Sequence, residues 1–347
     1  MKTKSTDARA ANGPPKGGTG SPKCLLLPLK RELGLPQFLP SMSCGKIKNQ
    51  IGKPPLRSIE LRADELAASI SAVGAELISL RQHHVGEFIW QAQSEAWRRS
   101  APVLFPVVSH YPRGLVLLGD RPMELPPHGF APSSRFEVLE AGRDACRLRL
   151  RSSPETLAAF PYAFELSVDF ALDAEGLTQV MRVHNPDAEI ELPYMLGAHP
   201  GFNWPLPGAG PREAHRLHFS ALEAGETQPL GAAPIPRYRF DGRVAVPSDI
   251  DFSTAHGLPD IASRSVRFGT EATHLTLDFD GFAQFALWSR GVAPFLCLEP
   301  WSDMPIAITE PRQFATLPGV SRLPAGASRN YRLRFTPGGA QGREGRR

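Results

Sequence analysis

From Ser58 to Phe335 the chain repeats one pattern: short bursts of alternating apolar and polar residues, punctuated by glycine, proline and asparagine. Ile59-Glu60-Leu61-Arg62, residues 68–73 and residues 75–80 open the series, with Gly74 as a break. Residues 136–140, 146–151, 164–170 and 177–183 continue it, then 265–268, 275–279, 285–288 and 329–335. Alternation places one set of side chains on each face of a strand, so these bursts predict half-buried β-strands. One stretch departs from it. Residues 101–108 are apolar throughout, which predicts a strand buried on both faces or the floor of a pocket. Helical periodicity is confined to residues 153–160, where Ser153 is a cap and Pro154 suits the first turn.

The predicted class is therefore all-β: a large antiparallel β-sandwich with few short helices, in one domain over residues 57–337. The absence of a fixed internal period argues against a propeller. Residues 1–56 are rich in Lys, Gly, Pro and Ser without periodicity and read as a disordered extension; residues 338–347 read as a disordered tail.

Composition narrows the function classes. The net charge is +4, with arginines scattered through the patterned region, which is no nucleic-acid footprint. No apolar run approaches a membrane span, and residues 24–29 are too short for a secretory signal. The four cysteines, Cys24, Cys44, Cys146 and Cys297, have neither disulfide-framework nor zinc-site spacing. Cys146 and Cys297 read as buried thiols, and a reducing, cytoplasmic location fits them.

Three segments carry candidate chemistry: Pro127-His128-Gly129-Phe130-Ala131, Leu196-Gly197-Ala198-His199-Pro200-Gly201-Phe202 and Cys297-Leu298-Glu299-Pro300-Trp301. Small residues around the histidines let a ligand approach the backbone. Glu299 stands in an apolar run, where an ionised carboxylate needs either a partner, such as a structural arginine, or a task. The other histidines, including His83, His84, His215 and His256, read as structural or surface residues.

Together with residues 101–106, and in this order, these segments resemble the aldose 1-epimerase (mutarotase) family, in particular its LacX-like bacterial branch. The resemblance spans about residues 58–336. It implies a galactose mutarotase-type β-sandwich, also called a supersandwich. It further implies a cofactor-independent enzyme that interconverts the α and β anomers of an aldohexose, with no metal. Glu299 matches the family's general base, His199 the general acid and His128 a second histidine that binds sugar and supports proton transfer. Phe130, Phe202, Trp288 and Trp301 are candidate faces for the sugar ring. The implied partner is a small-molecule sugar, with no nucleic acid and no membrane, and the expected state is a monomer or weak dimer.

Two positions depart from the family pattern. Relatives often carry arginine where this chain has residues 107–111, and directly after His-Gly-Phe-Ala, where it has Pro132. His110 is a partial substitute, and Arg113 or Arg135 could reach in from loops. The departures favour a neutral aldose over a hexose 6-phosphate. Two other classes remain open on the residues alone: a carbohydrate-binding protein without turnover, and a metal site formed by His128, His199 and Glu299. Asp241, Asp278 and Asp280 read first as solvated loop positions and second as further sugar carboxylates.

Overall fold

Alternation in the sequence becomes two-sidedness in space. A computed structural model of the chain describes residues 58–339, apart from Ser94 and residues 231–234. The expected extension and tail therefore lie outside the described residues, as do Cys24 and Cys44. In the strands Glu165–Leu172, Leu177–His184 and Ala145–Arg151, every second side chain is buried. These belong to an antiparallel sheet of nine strands. In spatial order they are Arg239–Ala245, Arg216–Glu226, Ser265–Gly269, His274–Asp280, Ser328–Gly338, Leu177–His184, Glu165–Leu172, Ala145–Arg151 and Glu137–Ala141. Its outer face is laced with ion pairs such as Arg147–Asp169, Arg151–Glu165 and Arg334–Asp173. Its inner face supplies Leu166, Val168, Phe170, Leu277, Leu333 and Phe335 to the core.

A second antiparallel sheet of seven strands faces it. The strand Phe295–Trp301 runs through this sheet, buried at every position. It pairs with Gln284–Trp288 on one side, and on the other with the short strands Gly197–Ala198 and Gly201–Asn203. Phe335 meets Phe202 at 6.3 Å between ring centres and Phe279 meets Phe285 at 5.0 Å, so the core lies between the two sheets. Burying apolar area at roughly 25 cal/mol per Å² drives this packing. A four-stranded sheet, Ile59–Ala63 through Gly86–Glu87, completes the N-terminal side. The exception to antiparallel pairing among the named strands is Arg312–Gln313 beside Val116–Leu118.

Residues 101–108 are all buried, as the apolar run implied, although only Val103–Leu104 form a strand. The helix expected near Ser153 is Pro154–Ala159, closed by a capping box in which Ser153 and Thr156 exchange hydrogen bonds. The strand Glu137–Ala141 is present but exposed at every position, because it is the sheet's outer edge and has no layer over it. The strands Arg216–Glu226 and Arg239–Ala245 were not foreseen. Their pairing slips between His218 and Glu223, and a bulge interrupts the two-residue period that marks a strand. No helix among the described residues is long and apolar enough to cross a membrane.

Candidate active site

The three candidate segments converge on one cavity of about 570 Å³, a size typical of small-molecule sites. Glu299 and Trp301 come from the strand Phe295–Trp301, and Trp288 from its neighbour. His199 sits between Gly197–Ala198 and Gly201–Asn203, which both pair with that strand. Its backbone N–H is tied to the carbonyl of Pro102, at 3.1 Å. Gly201 is required here because a Cβ would lie 2.5 Å from the Trp97 ring, which stacks on His199 at 4.9 Å. Gly129 has φ +75° and packs so tightly that a Cβ would lie 2.2 Å from the Phe105 carbonyl oxygen. Just before it, His128 also adopts a left-handed φ of +65°, a conformation costing about 1 kcal/mol outside glycine. That strain turns the ring into the cavity, 5.4 Å from the ring of His199.

His199 Nε2 lies 3.2 Å from Glu299 Oε2, and both side chains are almost fully buried. The approach lacks hydrogen-bond alignment, so neither carboxylate oxygen of Glu299, nor Nδ1 of His199, has an aligned partner. The Trp301 indole N–H is close enough to favour the charged carboxylate without reaching aligned geometry. Unpartnered buried polar atoms are rare because each costs roughly 1–3 kcal/mol. Several of them around one cavity mark places where a ligand's hydroxyls can bind.

The charge states differ from those expected for a simple ion pair. Burial pushes the Glu299 carboxyl well above the ordinary carboxylate range. Burial, with the nearby His128 and Arg99, pushes His199 well below that of a free imidazole. Glu299 and His199 therefore share one proton, and desolvation favours the arrangement in which the carboxyl holds it. His128 is lowered to about 4 by burial and by the charges of Arg99 and His110. Its Nδ1 accepts the Ser109 backbone N–H at 3.1 Å, so the neutral ring carries its proton on Nε2 as a donor.

Of the other candidate residues, Trp288 and Trp301 line the cavity. Phe130 and Phe202 do not. Phe130 packs on Phe105 and Phe164, and Phe202 on Phe335, because their backbone positions turn them to the core. His110 is exposed and outside the lining. Arg113 pairs with Glu124 at the surface, and Arg135 is exposed. Asp278 and Asp280 lie opposite Arg334 and Arg332 in the nine-stranded sheet, away from the cavity.

The cavity's arginine is Arg99, which sequence reading did not single out. Nη1 donates to the Pro132 carbonyl at 2.7 Å and Nη2 to Ser133 Oγ at 2.9 Å. Glu76, buried at the start of Glu76–Gln82, anchors the same wall. Its Oε1 accepts the backbone N–H groups of Ser100 and Ala101 at 2.6 and 3.1 Å, while Oε2 lies 3.4 Å from Arg99 Nη1. Trp97 was likewise missed. Between Glu95 and Arg98-Arg99 it reads as a surface residue, and only the close approach of Gly201 signals its place.

Comparison with known proteins bears on the fold and the family. The family model described as aldose 1-epimerase matches residues 57–304. Protein LacX (plasmid) of Lactococcus lactis subsp. lactis is 30% identical over 287 residues, covering 77% of this chain and 94% of the relative. A galactose mutarotase-like protein from Lactobacillus casei superposes with a TM-score of 0.73 at 27% identity, covering 81% of this chain and 100% of that one. A galactose mutarotase related enzyme from Lactobacillus acidophilus shares the fold, with a TM-score of 0.70 at 24% identity over 81% of this chain and 97% of its own. With the sandwich, the ordered segments and the family match in agreement, the chain belongs to the aldose 1-epimerase family.

Proposed function

We propose that the protein is an aldose 1-epimerase acting on a neutral aldohexose, with Glu299 and His199 as its proton-transfer pair and His128 as a sugar-binding donor. The observation that carries this reading is the unsatisfied His199–Glu299 pair, 3.2 Å apart at a cavity. Mutarotation requires one proton to leave the C1 hydroxyl and one to reach the ring oxygen. The C1–ring-oxygen bond then breaks, the aldehyde turns about C1–C2, and the ring closes on its other face. A base and an acid within hydrogen-bond reach suffice for this exchange. A pair holding a single proton supplies one of each.

By family resemblance Glu299 takes the C1 proton while His199 protonates the ring oxygen. The raised carboxyl and lowered imidazole support a second reading with the roles exchanged, in which Glu299 is the acid and His199 the base. An infrared carbonyl band of a protonated carboxyl in the free enzyme, absent from Glu299→Gln, would favour the exchanged roles; its absence from the wild type would favour the first. The indole groups of Trp288 and Trp301 offer apolar surface to the ring's C–H face. A cytoplasmic location accompanies this reading.

Polarimetry on freshly dissolved α-glucose and α-galactose tests the proposal, after subtraction of the spontaneous rate. Acceleration by the wild type and its loss in Glu299→Gln is the expected result. Sugar binding without acceleration would leave a carbohydrate-binding protein.

A further inference from the structure

The strand that delivers Glu299 also places Cys297 on the same face, two residues earlier. Cys297 is a free, fully buried thiol that the proposed proton transfer does not use. One ligand atom each from His199, Cys297 and Glu299 fall within 4.8 Å of one another. We infer that these residues form an inhibitory site for a thiophilic divalent cation of the zinc class at the pocket floor.

The donor set fits such an ion. Imidazole, thiolate and carboxylate are all zinc ligands, and three of them with one open position form a tetrahedral site completed by water. Zinc bonds of about 2.0–2.3 Å at tetrahedral angles put ligand atoms roughly 3.3–3.6 Å apart. The His199–Glu299 separation of 3.2 Å is already close to that. Within the 4.8 Å limit, drawing in the sulfur takes a shift of about 1 Å, in the range of a small side-chain rotation. Both supporting segments are hydrogen-bonded to each other inside the sheet, so the ligands are held in advance.

Two further observations favour an occupant. Both Glu299 oxygens lack aligned partners, so binding breaks no existing hydrogen bond at the carboxylate. Once the thiol and carboxyl release their protons to solvent, their two negative charges balance the cation's two positive ones. His199 and Glu299 line the cavity while Cys297 lies behind them, so the ion enters from the sugar side and leaves its open position facing the cavity. An ion there occupies both proton-transfer groups. Inhibition competitive with sugar follows, and this part rests on the epimerase reading.

The test uses the full chain carrying His83→Ala and His84→Ala, which removes the exposed Glu65–His83–His84 cluster as a second holder. Cadmium, titrated as a spectroscopic probe, should raise a thiolate-to-metal ultraviolet band that is reduced in Cys297→Ser and Cys297→Ala; the variants subtract the contribution of Cys24, Cys44 and Cys146. Zinc should slow mutarotation reversibly, with recovery on adding a chelator. Its half-inhibiting concentration should rise at least about tenfold in the Cys297 variants, the effect of losing one of three ligands. A cadmium-soaked crystal of the wild-type chain locates the ion even where the variants fold poorly. Cadmium density away from Cys297, or an unchanged band and zinc sensitivity in both variants, overturns the site. The cadmium measurements need no turnover, so failure of the epimerase reading would be visible separately.

Discussion

Glu76 and Glu299 are the same residue type in the same fold. Both are buried, and burial is the largest cause of a raised pKa in each. Their surroundings divide them. Glu76 accepts two backbone N–H groups and faces Arg99, whereas Glu299 has no aligned partner. A buried carboxylate whose oxygens are already bonded holds a wall in place. One left open is available to a ligand, and the fold bears the cost of leaving it so. Hydrogen-bond satisfaction, rather than burial or pKa direction, is what distinguishes the two carboxylates.

The conservative change to glutamine should therefore have opposite consequences at the two positions. Glu299→Gln preserves shape but cannot exchange the proton, and should lower kcat about 10²–10⁴-fold, as His199→Asn should. Melting temperature should hold or rise in Glu299→Gln, since a buried acid is removed. The double variant should lose far less than the product of the two, because residues acting as a unit are not additive. Near wild-type turnover of every aldose by Glu299→Gln would erase the distinction between the two carboxylates.

The pH profile sharpens the same contrast. On the proposed mechanism the active pair holds one proton. It gains a second on His199, whose pKa is lowered, so the acidic limb lies below pH 6.5. It loses its single proton from Glu299, whose pKa is raised, so the basic limb lies above pH 4.5. The two shifts together widen the plateau, and beyond each limb kcat should fall about tenfold per pH unit. An acidic limb that reports protonation of Glu299 and a basic limb that reports deprotonation of His199 would mean that burial does not control the pair.

At the other carboxylate the effect should be on stability. Glu76→Ala leaves two buried N–H donors without an acceptor and should cost roughly 2–6 kcal/mol in denaturant unfolding, about 1–3 for each donor. Glu76→Gln should cost much less, because one carbonyl oxygen can accept from both Ser100 and Ala101. If Glu76→Gln lost turnover as severely as Glu299→Gln while remaining fully folded, Glu76 would belong to the chemistry after all.

The smallest expected effect concerns Arg99, the residue linking the two regions. Arg99→Lys cannot keep the forked contacts to Pro132 and Ser133, and should raise KM by about tenfold with little change in kcat. With both terminal nitrogens of Arg99 already donating to protein oxygens, kcat/KM should favour glucose or galactose over glucose 6-phosphate. A preference for the phosphate would mean that Arg99 gives up these bonds for the substrate.

Much of this protein was legible in one dimension. Two-residue alternation at Leu166, Val168 and Phe170 assigns strand and face, because successive side chains on a strand must point to opposite sides. The unbroken apolar run over residues 101–108 announced a segment buried at every position. Glu299 stood out as a carboxylate in an otherwise apolar run, and His128 and His199 through the motifs that resemble the family. Alternation fixes a face but does not name what covers it. Phe202 and Trp288 are equally aromatic, yet one meets Phe335 in the core and the other lines the cavity. Arg99 could not be told from Arg98 beside it until Glu76, Pro132 and Ser133 were brought to it from distant parts of the chain. Local geometry depends on neighbours in sequence and can be read there. The satisfaction of a buried charge depends on groups that meet only when separate strands pack, so the tertiary structure alone decided which carboxylate was left open.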